Sequence, residues 1–187
     1  MRIGVIGVGI MGSAIARNLI RAGMTVTGFD IDTKRRAELA AMGGTAAGSA
    51  AEVAAGAEIV LTSLPAIAAL DETVAAILSA KPRELIVAEL STLPIEVKQR
   101  NRDALAKGGV AMLDCPLSGT GAQAVTGDLV VYQPAELYLG HDELDALVRL
   151  LGAGPIVEQE EDPGTDLDGE EEERHSPEVG ALASVLT

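Results

Sequence analysis

The sequence predicts an α/β fold, a doubly wound and mostly parallel sheet with helices on both faces. Three observations carry that expectation. Short apolar or β-branched runs alternate with segments of helical periodicity. The first of these runs leads straight into a glycine-rich turn and then a helix. The excess negative charge sits at one end, which leaves the rest a nearly neutral globular sequence.

The elements follow in order. Residues 3–6 are an apolar run ending in glycine, a buried strand. Residues 11–22 place Ile15, Leu19 and Ala22 at helical spacing and stop at Gly23. Residues 25–29 are β-branched and aromatic, a second strand. Residues 33–42 are helical and end at Gly43-Gly44. Ala46-Ala47 is a minimal strand, and Ser49 caps a short helix to Ala55. Residues 58–63 form a strand running into Pro65, and 66–79 a helix. Residues 84–89 form a strand, and 94–107 a helix with proline in its first turn. Strands at 110–113 and 129–132 and a last helix at 142–151 complete the pattern. Strands separated by helices of this length imply βαβ units and a sheet covered on both faces.

The chain of 187 residues suits one ordinary domain, and its 48% apolar content allows a packed core. No apolar run approaches the length of about 18 residues that crosses a bilayer. The apolar N-terminus is broken by Gly4, Gly7 and Gly9, so no signal peptide is expected. A lone Cys115 excludes an internal disulfide framework and a cysteine zinc site. A cytoplasmic protein is the expectation. A net charge of -14 argues against nucleic-acid binding through a basic surface. Residues 1–157 carry 13 basic and 17 acidic side chains, whereas 158–187 carry Arg174 against 11 acidic ones. The expected division is therefore a globular domain over 1–157 and a disordered acidic tail over 158–187.

Gly7-Val8-Gly9-Ile10-Met11-Gly12 joins the first strand to the first helix, the context a dinucleotide-binding turn requires. Gly7 permits the tight turn, Gly9 lets a pyrophosphate approach the backbone, and Gly12 lets the helix pack on the strand. The helix N-terminus offers unpaired N–H groups to phosphate. Asp30 ends the second strand, where a carboxylate accepts from ribose hydroxyls and repels a 2′-phosphate. NAD is therefore favoured over NADP, although Lys34, Arg35 and Arg36 follow closely.

The stretch from Gly7 to Leu19, with Met11 before the third glycine and Ala16-Arg17-Asn18-Leu19 behind it, resembles the start of the β-hydroxyacid dehydrogenase family. That family takes in 3-hydroxyisobutyrate dehydrogenase and, more distantly, 6-phosphogluconate dehydrogenase with its NAD(P)-binding domain. Asp114-Cys115-Pro116-Leu117-Ser118-Gly119-Thr120-Gly121 through Leu129 is similar to the family's substrate-binding segment. Leu64-Pro65 and Ser91-Thr92 fall where the family has matching signatures. The resemblance spans roughly residues 1–152. It implies an oxidoreductase that moves hydride between a small β-hydroxy acid and a nicotinamide. It places Gly7, Gly9, Ile10, Met11, Gly12, Asp30, Leu64, Pro65 and Thr92 at the cofactor, with Ser118, Gly119 and Thr120 at the substrate. Thr120 and Gln123 depart from the pattern, since glycines are usual at both positions.

One part of the pattern is missing. The family's proton-transferring lysine lies on a helix beyond the substrate segment. Here Lys34, Lys81, Lys98 and Lys107 all precede that segment. No catalytic residue and no metal ligand is assigned. His141 and His175 do not fill the role, and Cys115 reads as packing. A truncated or frame-shifted member, apparently lacking the helical C-terminal domain, is the favoured account. A stand-alone dinucleotide-binding module and a chain completed by another subunit are the alternatives. Self-association through uncovered apolar surface is also expected.

Overall fold

A computed structural model describes residues 1–126, 129–134 and 157–159. Its first half alternates strictly. β1 (Arg2–Ile6), α1 (Ile10–Arg21), β2 (Thr25–Phe29), α2 (Thr33–Ala41) and β3 (Thr45–Ala46) come first. They are followed by α3 (Ala50–Gly56), β4 (Ile59–Thr62), α4 (Ile67–Ser79), β5 (Ile86–Glu89), α5 (Ile95–Lys107) and β6 (Ala111–Asp114). These strands form one parallel sheet in the order β3-β2-β1-β4-β5-β6. The architecture is the Rossmann-like doubly wound sheet that the alternation predicts.

The sheet grows outward from β1 to β3, then restarts on the other side of β1 with β4. Neighbouring connections therefore leave the β1/β4 junction in opposite directions and open a crevice beyond the strand ends. Ile6 lies in register with Phe29 on one side and Thr62 on the other.

Both faces of the sheet are buried, as a parallel sheet demands. Ile3, Val5, Leu61, Ala88 and Leu90 pack with Ile15 and Leu19 of α1 and Leu39 of α2. Val60, Val87 and Met112 pack on the other face with Val53, Leu70, Ile77 and Leu105 of α3, α4 and α5. Fully buried side chains such as Leu19, Leu70 and Leu105 each contribute about 1.5–3 kcal/mol relative to exposure. Ser49 caps α3 as expected, its hydroxyl accepting from Glu52 N at 3.1 Å.

A smaller unit follows: β7 (Leu117–Ser118), α6 (Gly121–Thr126), β8 (Val130–Pro134) and β9 (Val157–Gln159). β7 pairs antiparallel with β8, and β8 pairs parallel with β9. Ala124 of α6 packs on Ala14 of α1 beside Leu129, and Asn18 Nδ2 donates to the Ala124 carbonyl at 2.9 Å. β9 thus carries the described chain across the expected boundary at residue 157. The expected helix at 142–151 and the acidic residues from 160 onward lie outside the described residues. The strand expected over 84–89 starts later, at Ile86, because Lys81 and Glu84 adopt positive φ in the turn around Pro82.

Candidate functional site

The glycine turn between β1 and α1 is built so that two of its glycines have no substitute. Gly7 has φ +88°, and a Cβ there would fall 2.2 Å from the Ser63 carbonyl oxygen. A Cβ on Gly12 would fall 1.9 Å from the Gly7 carbonyl oxygen, so α1 rests directly on the turn. Gly9 differs: a Cβ there would meet only the Arg35 guanidinium, at 3.3 Å. Gly9 is also the N-cap of α1, with no side chain capping the helix and no acidic residue in its first turn. The first-turn N–H groups of α1 therefore have no intrahelical partner and face the crevice with the positive end of the dipole.

Asp30 is buried at 6% exposure at the end of β2. Its Oδ2 accepts from Val8 N at 2.8 Å and its Oδ1 from Asp32 N at 2.9 Å. The carboxylate thus braces the glycine turn from behind, a role the sequence reading did not assign it. Arg35 Nη1 lies 3.4 Å from Asp30 Oδ2, and Arg35 Nε lies 3.9 Å from Asp32 Oδ2. Arg36 Nη1 donates to the Asp30 carbonyl at 3.0 Å, and its guanidinium stands over the Phe29 ring at 5.4 Å. Two of the three basic residues after β2 are therefore folded back onto Asp30. Lys34 is exposed on α2, and its backbone N–H caps that helix onto Asp32.

A cleft of about 720 Å³ opens beyond the carboxyl ends of the strands. The glycine turn supplies Gly7, Gly9, Ile10 and Met11, and β2 supplies Asp30. The ends of β4 and β5 supply Leu64, Pro65 and Thr92, and the loop after β7 supplies Gly119. Gly12 stands behind the turn rather than in the wall. Ser118 and Thr120 are exposed beside Gly119 and do not line the cleft. Thr120 instead opens α6. Its N–H and hydroxyl both donate to Gln123 Oε1, at 2.9 and 3.0 Å, and its Oγ1 accepts from Gln123 N at 3.3 Å. This is a capping box, so the two departures from the family pattern are partners of each other.

A buried charge cluster behind the cleft went unread in the sequence. Glu89 ends β5 fully buried, and Lys98 of α5 is 5% exposed. Lys98 Nζ lies 2.9 Å from Glu89 Oε2, an ionic contact out of line for a hydrogen bond, and 2.5 Å from Asp114 Oδ1. Glu89 Oε1 accepts from Ser91 N at 2.9 Å. The legible signal was helical spacing: Lys98, Asn101 and Leu105 share the buried face of α5. A carboxylate closing the apolar run of β5 demands a cation, and that face supplies it. Cys115 is buried next to this cluster. Burial, with the Asp114 carboxylate adding to it, pushes its thiol up to about 12, so it is inert.

The profile of the family described as the NAD binding domain of 6-phosphogluconate dehydrogenase matches residues 2–136. The chain is 34% identical over 164 residues to an L-threonate dehydrogenase of Cupriavidus necator, covering 81% of this chain and 54% of that protein. It is 35% identical over 139 residues to a 3-hydroxyisobutyrate dehydrogenase of Pseudomonas aeruginosa, covering 70% and 46%. Among solved structures, the 3-hydroxyisobutyrate dehydrogenase of Mycobacterium tuberculosis with L-serine superposes with a TM-score of 0.76 at 26% identity. That match covers 84% of this chain and 53% of the other. The chain spans about half the length of the curated relatives it matches.

Proposed function

The chain belongs to the β-hydroxyacid dehydrogenase family through its NAD(P)-binding domain, and on that premise we propose that it is the cofactor-holding part of an oxidoreductase acting on a small β-hydroxy acid. The observation that carries this reading is the uncapped N-terminus of α1, facing the cleft across a turn in which Gly9 alone leaves room for a ligand. Those features fit a pyrophosphate.

In this reading the N–H groups at the start of α1 hold the phosphates. Asp30 accepts from the adenosine ribose with the one lone pair its three existing contacts leave on Oδ1. Thr92 stands at the nicotinamide end, and Leu64 and Pro65 exclude water beside it. Gly119, in the cleft wall, and the exposed Ser118 beside it take the substrate carboxylate, whereas the Thr120 N–H and hydroxyl are already given to Gln123. When bound, the nicotinamide accepts a hydride from the carbon bearing the substrate hydroxyl. NAD is preferred, because a 2′-phosphate would meet the buried Asp30 carboxylate first.

No lysine or histidine among the described residues lines the cleft. Lys98 is held in the ion cluster behind it. The chain by itself therefore binds cofactor and turns over little substrate. Four exposed isoleucines, Ile10, Ile31, Ile67 and Ile95, begin the segments that leave β1, β2, β4 and β5. This apolar rim supports self-association, which light scattering measures directly; a strictly monomeric solution would remove that part of the proposal.

The decisive experiment is titration with NADH, followed by cofactor fluorescence. Saturable binding is expected, and no signal at millimolar cofactor would sink the whole reading. An assay with 3-hydroxyisobutyrate and serine separates enzyme from binding module. Robust turnover by this chain would overturn the argument from the missing base.

A further inference from the structure

We propose that Glu89, Lys98 and Asp114 form a buried clamp that positions the nicotinamide end of the cleft without touching the ligand. The proposal rests on the cofactor reading above and assigns a job to residues that reading leaves unused.

The geometry runs through three strand ends. Thr62, Glu89 and Asp114 lie side by side in register at the carboxyl ends of β4, β5 and β6. One ammonium, Lys98 Nζ, bridges Glu89 on β5 and Asp114 on β6. Glu89 passes the constraint forward, since its Oε1 accepts from Ser91 N at 2.9 Å. Ser91 passes it sideways, its Oγ accepting from Leu64 N at 2.8 Å at the end of β4. Leu64, Ser91 and Thr92 line the cleft, whereas Glu89, Lys98 and Asp114 do not. On the other arm, Asp114 opens the segment that leads through Leu117 to Gly119, and both of these line the cleft.

Energetics point the same way. An apolar replacement of a buried ion pair is often neutral or stabilising, so such a pair adds little to stability by itself. What this cluster does is geometric. Backbone N–H groups after two different strands are fixed by two hydrogen bonds in series, and an ionic contact ties their anchor, Glu89, to one buried cation. The adenosine end is braced separately, by Asp30 against Val8 and Asp32. The two halves of the cleft therefore have independent supports.

That independence supplies the test. NADH and ADP share the adenosine and pyrophosphate, and only NADH reaches the nicotinamide end. Glu89→Met removes the acceptor for Ser91 N–H while leaving Lys98 paired with Asp114. Glu89→Gln keeps an acceptor at the same place. Glu89→Met is expected to weaken NADH by about tenfold, the scale of one lost charge-assisted hydrogen bond, with ADP changed less than about twofold. Glu89→Gln is expected to stay within about twofold for both ligands. Asp114→Leu, which leaves the Glu89–Lys98 pair neutral, removes the β6 acceptor alone and guards against a misfolded Glu89→Met; a selective loss of NADH is again expected. Equal losses of both ligands, or no loss of either, would overturn the clamp while leaving the cofactor reading intact. Wild-type protein that binds neither ligand would overturn both.

Discussion

Gly9→Ala separates binding from folding in this protein. At Gly9 the backbone has φ -75° and ψ -155°, a conformation alanine adopts without strain. Its Cβ would meet only the tip of the Arg35 side chain, which is half exposed and free to turn aside. Replacing glycine at an N-cap costs up to about 1 kcal/mol. A stiffer unfolded chain returns about 0.4–1 kcal/mol. The two effects nearly cancel, so urea denaturation is expected to give a stability within about 1 kcal/mol of wild type. Binding has no such compensation. The methyl stands where the phosphates approach the N–H groups of α1, and losing one charge-assisted hydrogen bond of about 1.5–3 kcal/mol weakens NADH at least about tenfold. Fluorescence titration reads the second quantity on the same preparation. NADH binding at wild-type strength would refute the placement of the pyrophosphate. A large loss of stability would refute the packing argument.

Three other changes give different signatures. Gly12→Ala drives a methyl to 1.9 Å from the Gly7 carbonyl oxygen; α1 must recede, and denaturation is expected to show a loss of about 1–3 kcal/mol, so a wild-type midpoint would contradict the geometry. Asp30→Ala strands the buried Val8 N–H at about 1–3 kcal/mol and is expected to weaken NADH more than NADPH; the opposite order of affinities would reverse the cofactor preference. Burial, then Asp114, raises the Cys115 thiol from the ordinary 9.0 to about 12. The unfolded chain therefore ionises first, so this contribution to stability is complete below pH 9.0 and disappears as pH climbs toward about 12. Cys115→Ala is expected to flatten that alkaline loss in melting curves, and an unchanged slope would show that another group causes it.

The main sheet was readable because each of its strands but the last, β6, is followed directly by a helix, most of them with an apolar stripe and a glycine or polar stop. Ile15 and Leu19, or Leu70 and Ile77, declare a buried helical face without reference to anything distant. In the second unit only β8, the strand expected over 129–132, carried a local signal. β7 is two residues long and exists through pairing with β8, twelve residues further on. α6 is six residues of mostly small side chains, and its clearest mark, Thr120 with Gln123, was read as a departure from a pattern rather than as a cap. The cleft was legible for the same reason as the sheet: Gly7, Gly9 and Asp30 sit at fixed offsets from strand ends. Glu89 with Lys98 was legible only in part: spacing puts Lys98 on the face of Asn101 and Leu105, but a charged residue on a helix is ordinarily solvated. Only the fold shows that this one faces β5.

Arg35 leaves a mark on association kinetics. It lies across the mouth of the glycine turn, half exposed and 3.4 Å from Asp30. An anionic dinucleotide first meets the field of a chain with net charge -14, which repels it at a distance. It then meets this guanidinium within the cleft. Added salt screens the first interaction far more than the second, since the Debye length shrinks to about 10 Å at 0.1 M. The on-rate should therefore rise with ionic strength, the reverse of ordinary electrostatic steering. The off-rate, set by contacts inside the cleft, should change much less.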